Sequence, residues 1–412
     1  MVEADKTSDS FFLSSVPIVQ GFFIPFFIIG HLATWWSFEQ SSYMNFGMEG
    51  ILGMIATSIS AIGMQVFSGF LIIFGFNQCN SVLRKGIDQE SRKEIRVKYI
   101  KRIMIFFFFS SLKQFLAGIV VNPGKILNYF FTWEFFHMFG FTTLLVLIIF
   151  EISWFFGQFN EIKVRNIARG LSLTLCAIFS TVFLLFHSYS SDLKITYSIK
   201  SVDLINIIYR MIIDPQGEAP ILPWGIFSLA GIVLGSFLYF NDENTLNLHK
   251  RVKYSLLINV VLFLLSLTLL FVEEYRSPAI NSPASISFVY IGIFGIISLL
   301  TSLIYFFDLN SFASKNIRSI PLIFQPIIAL GNISLTAFIL HGIPVIFFPD
   351  PSFIPNEIAM LFVAICYSII WIILSIFWAK KKYIYSLEWI LKALETIEWS
   401  KLGKWRISSN ND

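Results

Sequence analysis

Charge is scarce in this chain: 14% of its 412 residues are Asp, Glu, Lys or Arg, against roughly 25% in soluble globular proteins. That shortage excludes a soluble globular domain. Cysteine is rarer still. The three cysteines make no CxxC pair and no metal-type Cys/His spacing, so neither a disulfide framework nor a zinc site is expected. No Gly-rich phosphate loop is present, and nothing indicates a nucleic-acid partner. Long linkers, low-complexity tracts and internal repeats are also missing, so residues 1–412 read as one membrane domain. The N-terminus, MVEADKTSDS, has no basic n-region and no small-residue cleavage site, and the first apolar segment reads as a retained span.

What fills the chain is hydrocarbon. Apolar residues make up 56%, and phenylalanine alone supplies 47 residues. A span needs about 20 mostly apolar residues. On that rule, ten spans are expected near 11–36, 50–78, 103–122, 129–156, 170–188, 219–240, 254–273, 287–307, 325–348 and 358–379. The fold class is therefore all-α, a polytopic integral membrane helix bundle. One set of connecting segments holds 24 of the 30 Lys and Arg residues, which puts both termini in the cytoplasm by the positive-inside rule. Two segments read as interfacial helices. SVDLINIIYRMII carries Val202, Ile205, Ile208 and Ile212 at helical spacing, and the Trp-bearing amphipathic stretch 384–399 suits the inner interface. GIVLG (Gly231, Gly235) is a small-xxx-small pattern, first of all a packing face inside the bundle and alternatively the face of a homodimer.

Five ionisable side chains stand out inside the expected spans: His31, Lys113, Glu134, His137 and His341. A charge near a bilayer centre costs several kcal/mol unless it is paired or wetted, so each is a candidate functional group. The expected orientation puts His31, Glu134, His137 and His341 toward the outer side, with Lys113 a little deeper. Glu134 and His137, three apart, share a helix face. Gln20 and His31, eleven apart, point the same way, as do Ser334 and His341. For each residue alone a packing or interface role is as good a reading, and Lys113 can snorkel or lock onto Glu134; His187 reads as an interface residue. The residues as a group point to a site. Imidazole moves protons or accepts an acyl group near neutral pH, and a neighbouring carboxylate orients it. That chemistry fits acyl transfer and proton-coupled transport equally.

The polar positions lie in a pattern that resembles a known family. QGFFIPFFIIGHLATWW is similar to the "RG, nine residues, His or Asn" opening of polytopic membrane acyltransferases. QVFSGFLIIFGF, YIKRIMIFFFFSSL, WEFFHMFGFTTLL, PILPWGIFSLAGIVLG, LGNISLTAFILHGIP and YSLEWILKAL follow in the family's order. The resemblance is to the heparan-α-glucosaminide N-acetyltransferase catalytic-domain group, a relative of the acyltransferase-three enzymes. It implies transfer of an acetyl group from cytoplasmic acetyl-CoA to a sugar or glycan acceptor across the membrane. His31 would be general base or transient acyl acceptor, Glu134 and His137 would assist proton transfer, His341 would line the acceptor side, and Lys113 would neutralise developing charge. Arg84, Lys85, Lys98, Lys101 and Arg102 would meet the coenzyme's phosphates, although positive-inside topology alone accounts for such a cluster. The chain departs from the pattern at Gln20 and Asn332, where the family has basic residues, at Phe338 in place of Tyr, and in its first outer loop, which has no His. The rival readings are a proton-coupled transporter or flippase and a catalytically silent membrane partner.

Overall fold

A computed structural model of the chain describes residues 15–36, 51–85, 89–121, 135–158, 160–190, 221–238, 245–276, 286–309, 322–342 and 357–396. All described elements are helical, with no strand among them. They run α1 Ser15–Trp36, α2 Ile51–Arg84, α3 Gln89–Val121, α4 Phe135–Gly157, α5 Glu161–Ser190, α6 Ile221–Phe237, α7 Thr245–Arg276, and α8 Ile286–Leu303, which continues as a π-helical turn over Ile304–Leu309. After a short 3-10 turn come α9 Gln325–Asn332, α10 Ser334–Leu340, α11 Glu357–Lys380 and α12 Leu387–Thr396.

Six of these helices are long and apolar enough to cross a membrane, and α9 with α10 makes a seventh if the bent pair is one span. Each of the ten expected segments holds a helix. Glu134 and the expected outer-interface helix at 202–212 lie outside the described residues. Within the expected interfacial stretch 384–399 a helix is observed, α12.

Helix α2 lies at the centre, packed by α1, α4, α6 and α8. Helix α6 is apolar all round and buried along nearly its whole length, as a helix surrounded by others must be. The α2–α6 crossing is close because glycines permit it. A Cβ at Gly231 would stand 2.1 Å from the Ile72 carbonyl oxygen, and one at Gly75 would stand 2.4 Å from that of Ser228. The GIVLG face is therefore a packing face against α2 within the chain. Helices α5, α7 and α11 form the rim and turn Leu257, Ile258, Leu264, Phe362, Ile369 and Phe377 outward. An outer surface this apolar fits lipid as solvent.

The expected continuous span at 325–348 is broken. Helices α9 and α10 meet at Ile333 with a 63° bend. No glycine or proline sits at the joint; Asn332 and Ser334 flank it. Two contacts from the C-terminal segment hold it open: Asn332 Nδ2 donates to the Tyr383 hydroxyl at 3.1 Å, and Glu388 of α12 receives the first amides of α10. The four leading amides of a helix lack intrahelical partners, so a carboxylate placed there makes a second helix start cheaper than continuing the first.

Candidate functional site

The break determines where His341 goes. It forms the C-cap of α10 with its backbone N–H bonded to the Ala337 oxygen, and its side chain is 5% exposed. Its Nδ1 lies 2.5 Å from the Phe338 carbonyl oxygen. A carbonyl only accepts, so Nδ1 donates, and the neutral ring carries its lone pair on Nε2. The backbone therefore selects the tautomer that leaves one basic nitrogen. The ring packs 4.6 Å from Phe27 of α1 and 6.1 Å from Phe338, centroid to centroid.

Helix α1 is seated against α9 by two glycines. A Cβ at Gly21 would fall 1.8 Å from the Ile327 oxygen, and one at Gly331 would fall 1.9 Å from the Pro17 oxygen. Pro25 within α1 has no N–H to give, and its own carbonyl accepts from Ser368 Oγ of α11 at 3.4 Å. This docking puts Phe27 on His341. His31 stands on α1 four residues beyond Phe27, and its side chain lies outside the described residues.

Lys113 and His137 belong to a second centre, between α3 and α4. His137 is 7% exposed; its Nδ1 shares a 2.7 Å hydrogen bond with Ser110 Oγ, and its ring meets Phe107 edge-on at 5.3 Å. Lys113, on the outside of α3, is near enough to repel a charged His137. On the buried side of α3, Ser110 and Gln114, one turn apart, form a polar strip. Among the described residues, His341 thus stands at the α1–α10 junction and Lys113 and His137 at the α3–α4 junction. The ring-to-ring path from His341 towards α4 runs through Phe338, Phe67 and Phe139, at 6.1 and 6.3 Å for the last two steps.

Four buried polar features escape the sequence reading. Asp308 is 3% exposed and its Oδ2 accepts the Ser15 amide at 3.3 Å, capping α1. Its position directly after an apolar run made it look like the first loop residue. Thr142 and Ser228 join α4 to α6 with oxygens 2.6 Å apart. Ser110 is one of two serines closing the run FFFFSS, whose burial depends on which face α4 covers. Glu388 lies in YSLEWILKAL; the acidic residue of a Trp-bearing amphipathic helix reads as solvated, and only tertiary structure inserts it at a helix break.

Glu388 Oε1 accepts the Leu335 amide at 2.6 Å and the Thr336 amide at 3.2 Å, while Oε2 accepts the Thr336 hydroxyl at 2.5 Å. That hydroxyl oxygen in turn accepts the Leu387 amide at 2.8 Å. Burial raises the carboxyl's pKa, and the hydrogen bonds from Thr336 and the Leu335 amide oppose the shift.

Seven residues on, and so on the same face of α12, Glu395 engages the basic end of α3. Arg102 holds it bidentately at 2.5 and 2.8 Å, Lys98 lies 3.8 Å away, and Lys101 donates to its backbone oxygen at 3.3 Å. Two of the five cations assigned to coenzyme phosphates thus face an internal carboxylate, and a third holds its backbone carbonyl. Lys85 pairs with Glu94 at 3.4 Å, and Arg84 is exposed beside it. Arg102→Ala should loosen the C-terminal end of α12 at a cost of about 1 kcal/mol. Hydrogen exchange over 391–396 should rise several-fold and that over 334–340 should stay unchanged; equal protection of 391–396 in both proteins would contradict this role.

Among the described residues no group of three or more His, Cys, Asp or Glu is arranged to hold a metal. The molecule so built is a helical membrane protein with a discontinuous helix that carries a buried imidazole. No family model, curated protein or solved structure matches the chain.

Proposed function

We propose that the chain is a membrane-embedded acyltransferase that moves an acetyl group from cytoplasmic acetyl-CoA to a sugar or glycan acceptor on the outer side, within a ten-span bundle whose termini are both cytoplasmic. The observation that carries this reading is His341, a buried imidazole with its tautomer set by the Phe338 carbonyl, one packing contact from the helix that bears His31. The ordered motif resemblance supports the same chemistry.

In this reading Nε2 of His341 takes the proton from the acceptor's hydroxyl or amine as that atom bonds to the acetyl carbon. The carbon–sulfur bond breaks, and the proton passes to the departing thiolate. His31 supplies a second base or a transient acyl acceptor. His137, oriented by Ser110, with Glu134 and Lys113, serves as a separate proton-handling centre. The cations on α3 fit a donor's phosphates in charge. Lys98, Lys101 and Arg102 would hold them by exchanging Glu395, with Arg84 and Lys85 alongside; the bound donor supplies an activated thioester.

One observation favours a second reading. Discontinuous helices with a polar group at the break recur in secondary transporters, and α9–α10 is such a helix. Proteoliposomes separate the two. With acetyl-CoA on the cytoplasmic side and glucosamine on the other, acyl transfer should release free thiol and label the acceptor. Absence of both, together with solute flux driven by a pH gradient and stopped by Lys113→Met, would replace the enzyme with a proton-coupled transporter.

A further inference from the structure

Helix α11 ends at Lys380 in a sharp elbow that leads into α12. Its last turns leave Ile370, Ile373, Leu374 and Phe377 exposed, so the elbow lies where an apolar span ends. Lys382, Tyr383 and Tyr385 hold φ of 54°, 57° and 66°, a left-handed conformation that non-glycine residues seldom adopt. The turn is tied down all the same. The Lys381 and Tyr383 amides donate to the Trp378 carbonyl, and the Lys382 amide donates to that of Ala379. The Trp378 indole donates to the Ile384 carbonyl at 2.8 Å. Ser386 then caps α12, its Oγ accepting the Trp389 amide at 3.1 Å.

This geometry sorts the side chains of α12 by charge. Both of its carboxylates turn inward, Glu388 to the start of α10 and Glu395 to Arg102. The outward face carries Trp389 and Lys392, three apart, with Tyr385 four residues before Trp389. Tyr385 is 77% and Trp389 41% exposed, and their ring centroids lie 5.6 Å apart. Lys380, Lys381 and Lys382 are exposed on the elbow itself. Among the described residues these three and Lys392 make no ion pair; Lys380 lies 5.5 Å over the Phe377 ring. Lysines at the end of a span satisfy the positive-inside tendency in any conformation. That tendency requires neither a left-handed turn nor an outward aromatic pair with both carboxylates of α12 turned away. Lysines clustered where a span ends, next to exposed Trp and Tyr, match the charge and depth of anionic phospholipid headgroups.

We propose that the Lys380–Lys382 elbow and the outward face of α12 form a docking surface for anionic phospholipid headgroups of the leaflet in which α11 ends. The lysines attract the headgroup phosphates, while Tyr385 and Trp389 set their apolar bodies among the upper acyl groups and keep their polar tips in the headgroup layer. Helix α12 buries none of its residues completely, so this outer contact adds to the two inward carboxylate ties that hold it. The surface stands apart from His341 and does not depend on the acyltransferase reading.

The test is hydrogen exchange of the full-length protein in nanodiscs of phosphatidylcholine alone, or of phosphatidylcholine and phosphatidylglycerol in equal parts. At low salt, exchange over 384–396 should be about tenfold slower in the anionic bilayer, since each lysine near a charged surface adds to the attraction. The mixed-charge first turns of α3, residues 89–96, should exchange alike in both bilayers, and high salt should erase the difference over 384–396. Lys380→Gln/Lys381→Gln/Lys382→Gln/Lys392→Gln should abolish the difference and keep the wild-type rate in phosphatidylcholine; the corresponding four Lys→Arg changes should preserve it. Equal exchange of 384–396 in the two bilayers overturns the surface, as does slowing of 89–96 to the same degree, or slowing that survives high salt. So does a glutamine variant that keeps the difference, or one that exchanges faster in phosphatidylcholine too, because the lysines would then serve the fold. Free pyrophosphate that slows 384–396 equally in a phosphatidylcholine bilayer would assign a soluble anion and overturn it as well.

Discussion

Leucine at Gly331, or at Gly21, should leave no folded protein in the membrane fraction. At both positions a Cβ would overlap backbone atoms of the facing helix, 1.9 Å from the Pro17 oxygen and 1.8 Å from the Ile327 oxygen. Backbone cannot rotate away as a flexible side chain does, so α1 and α9 would have to separate by more than an ångström. Overpacking a well-fitted core costs roughly 1–3 kcal/mol even where side chains can shift, and here they are not the obstacle. Total stability is only about 5–15 kcal/mol, and α1 also packs against α2 and α11, so the damage spreads. Alanine at either position should already lower the thermal midpoint and the monodisperse yield. Gly170→Ala is the control. It sits in an exposed turn of α5 with open space around its Cβ and should gain up to about 1 kcal/mol from helix propensity. Fluorescence-detected size exclusion and a thermal ramp on these variants check this; a normal Gly331→Leu protein would mean that α1 and α9 do not approach as described.

The second large effect belongs to Glu388. Its carboxylate takes two amides and one hydroxyl at the start of α10, and charge-assisted bonds of this kind contribute about 1.5–3 kcal/mol each when one partner is removed. Glu388→Ala should therefore release α10, raising hydrogen exchange over residues 334–340 by at least about 30-fold, which corresponds to roughly 2 kcal/mol. The same variant should displace His341 and so reduce activity. Its pH dependence has a definite sign. Burial raises the carboxyl above its ordinary value, so the docked state binds the proton more tightly than the released state. Docking is then strongest below the ordinary carboxylate range. It weakens as pH rises from there through the raised value and is flat above it. Glu388→Gln, which cannot ionise, should remove this slope while keeping more protection than Ala. An unchanged slope in Gln would assign it to another group.

Hydrophobic length and the charge pattern made the helices legible, because lipid leaves the chain few other ways to satisfy its backbone. Each expected segment carries a helix, including α6, which is short for a span but apolar on every face. The break at Ile333 was not legible. Residues 325–340 read as one apolar run, and what divides them comes from Tyr383 and Glu388, fifty residues downstream. The candidate site was half legible. His137 and His341 are buried, as intramembrane imidazoles should be. Their separation into an α1–α10 centre and an α3–α4 centre depends on which phenylalanines fill the space between, and 47 nearly interchangeable phenylalanines carry no record of that. The basic run at 84–102 was read correctly as cationic, but its partner Glu395 lies nearly three hundred residues away. Asp308 shows the same limit: a carboxylate at the end of an apolar run looks solvated until α1 begins on top of it.

The most direct measurement is the rate of thiol release from acetyl-CoA in proteoliposomes holding wild type, His341→Ala or His137→Ala, each normalised to folded protein. General-base catalysis by a positioned imidazole supplies about 10²–10⁴ in rate. His341→Ala should therefore lose at least about 100-fold, and His137→Ala, remote from the α1–α10 junction, should lose far less. A His341→Ala protein that turns over at the wild-type rate would contradict the placement of the chemistry at the end of the broken helix.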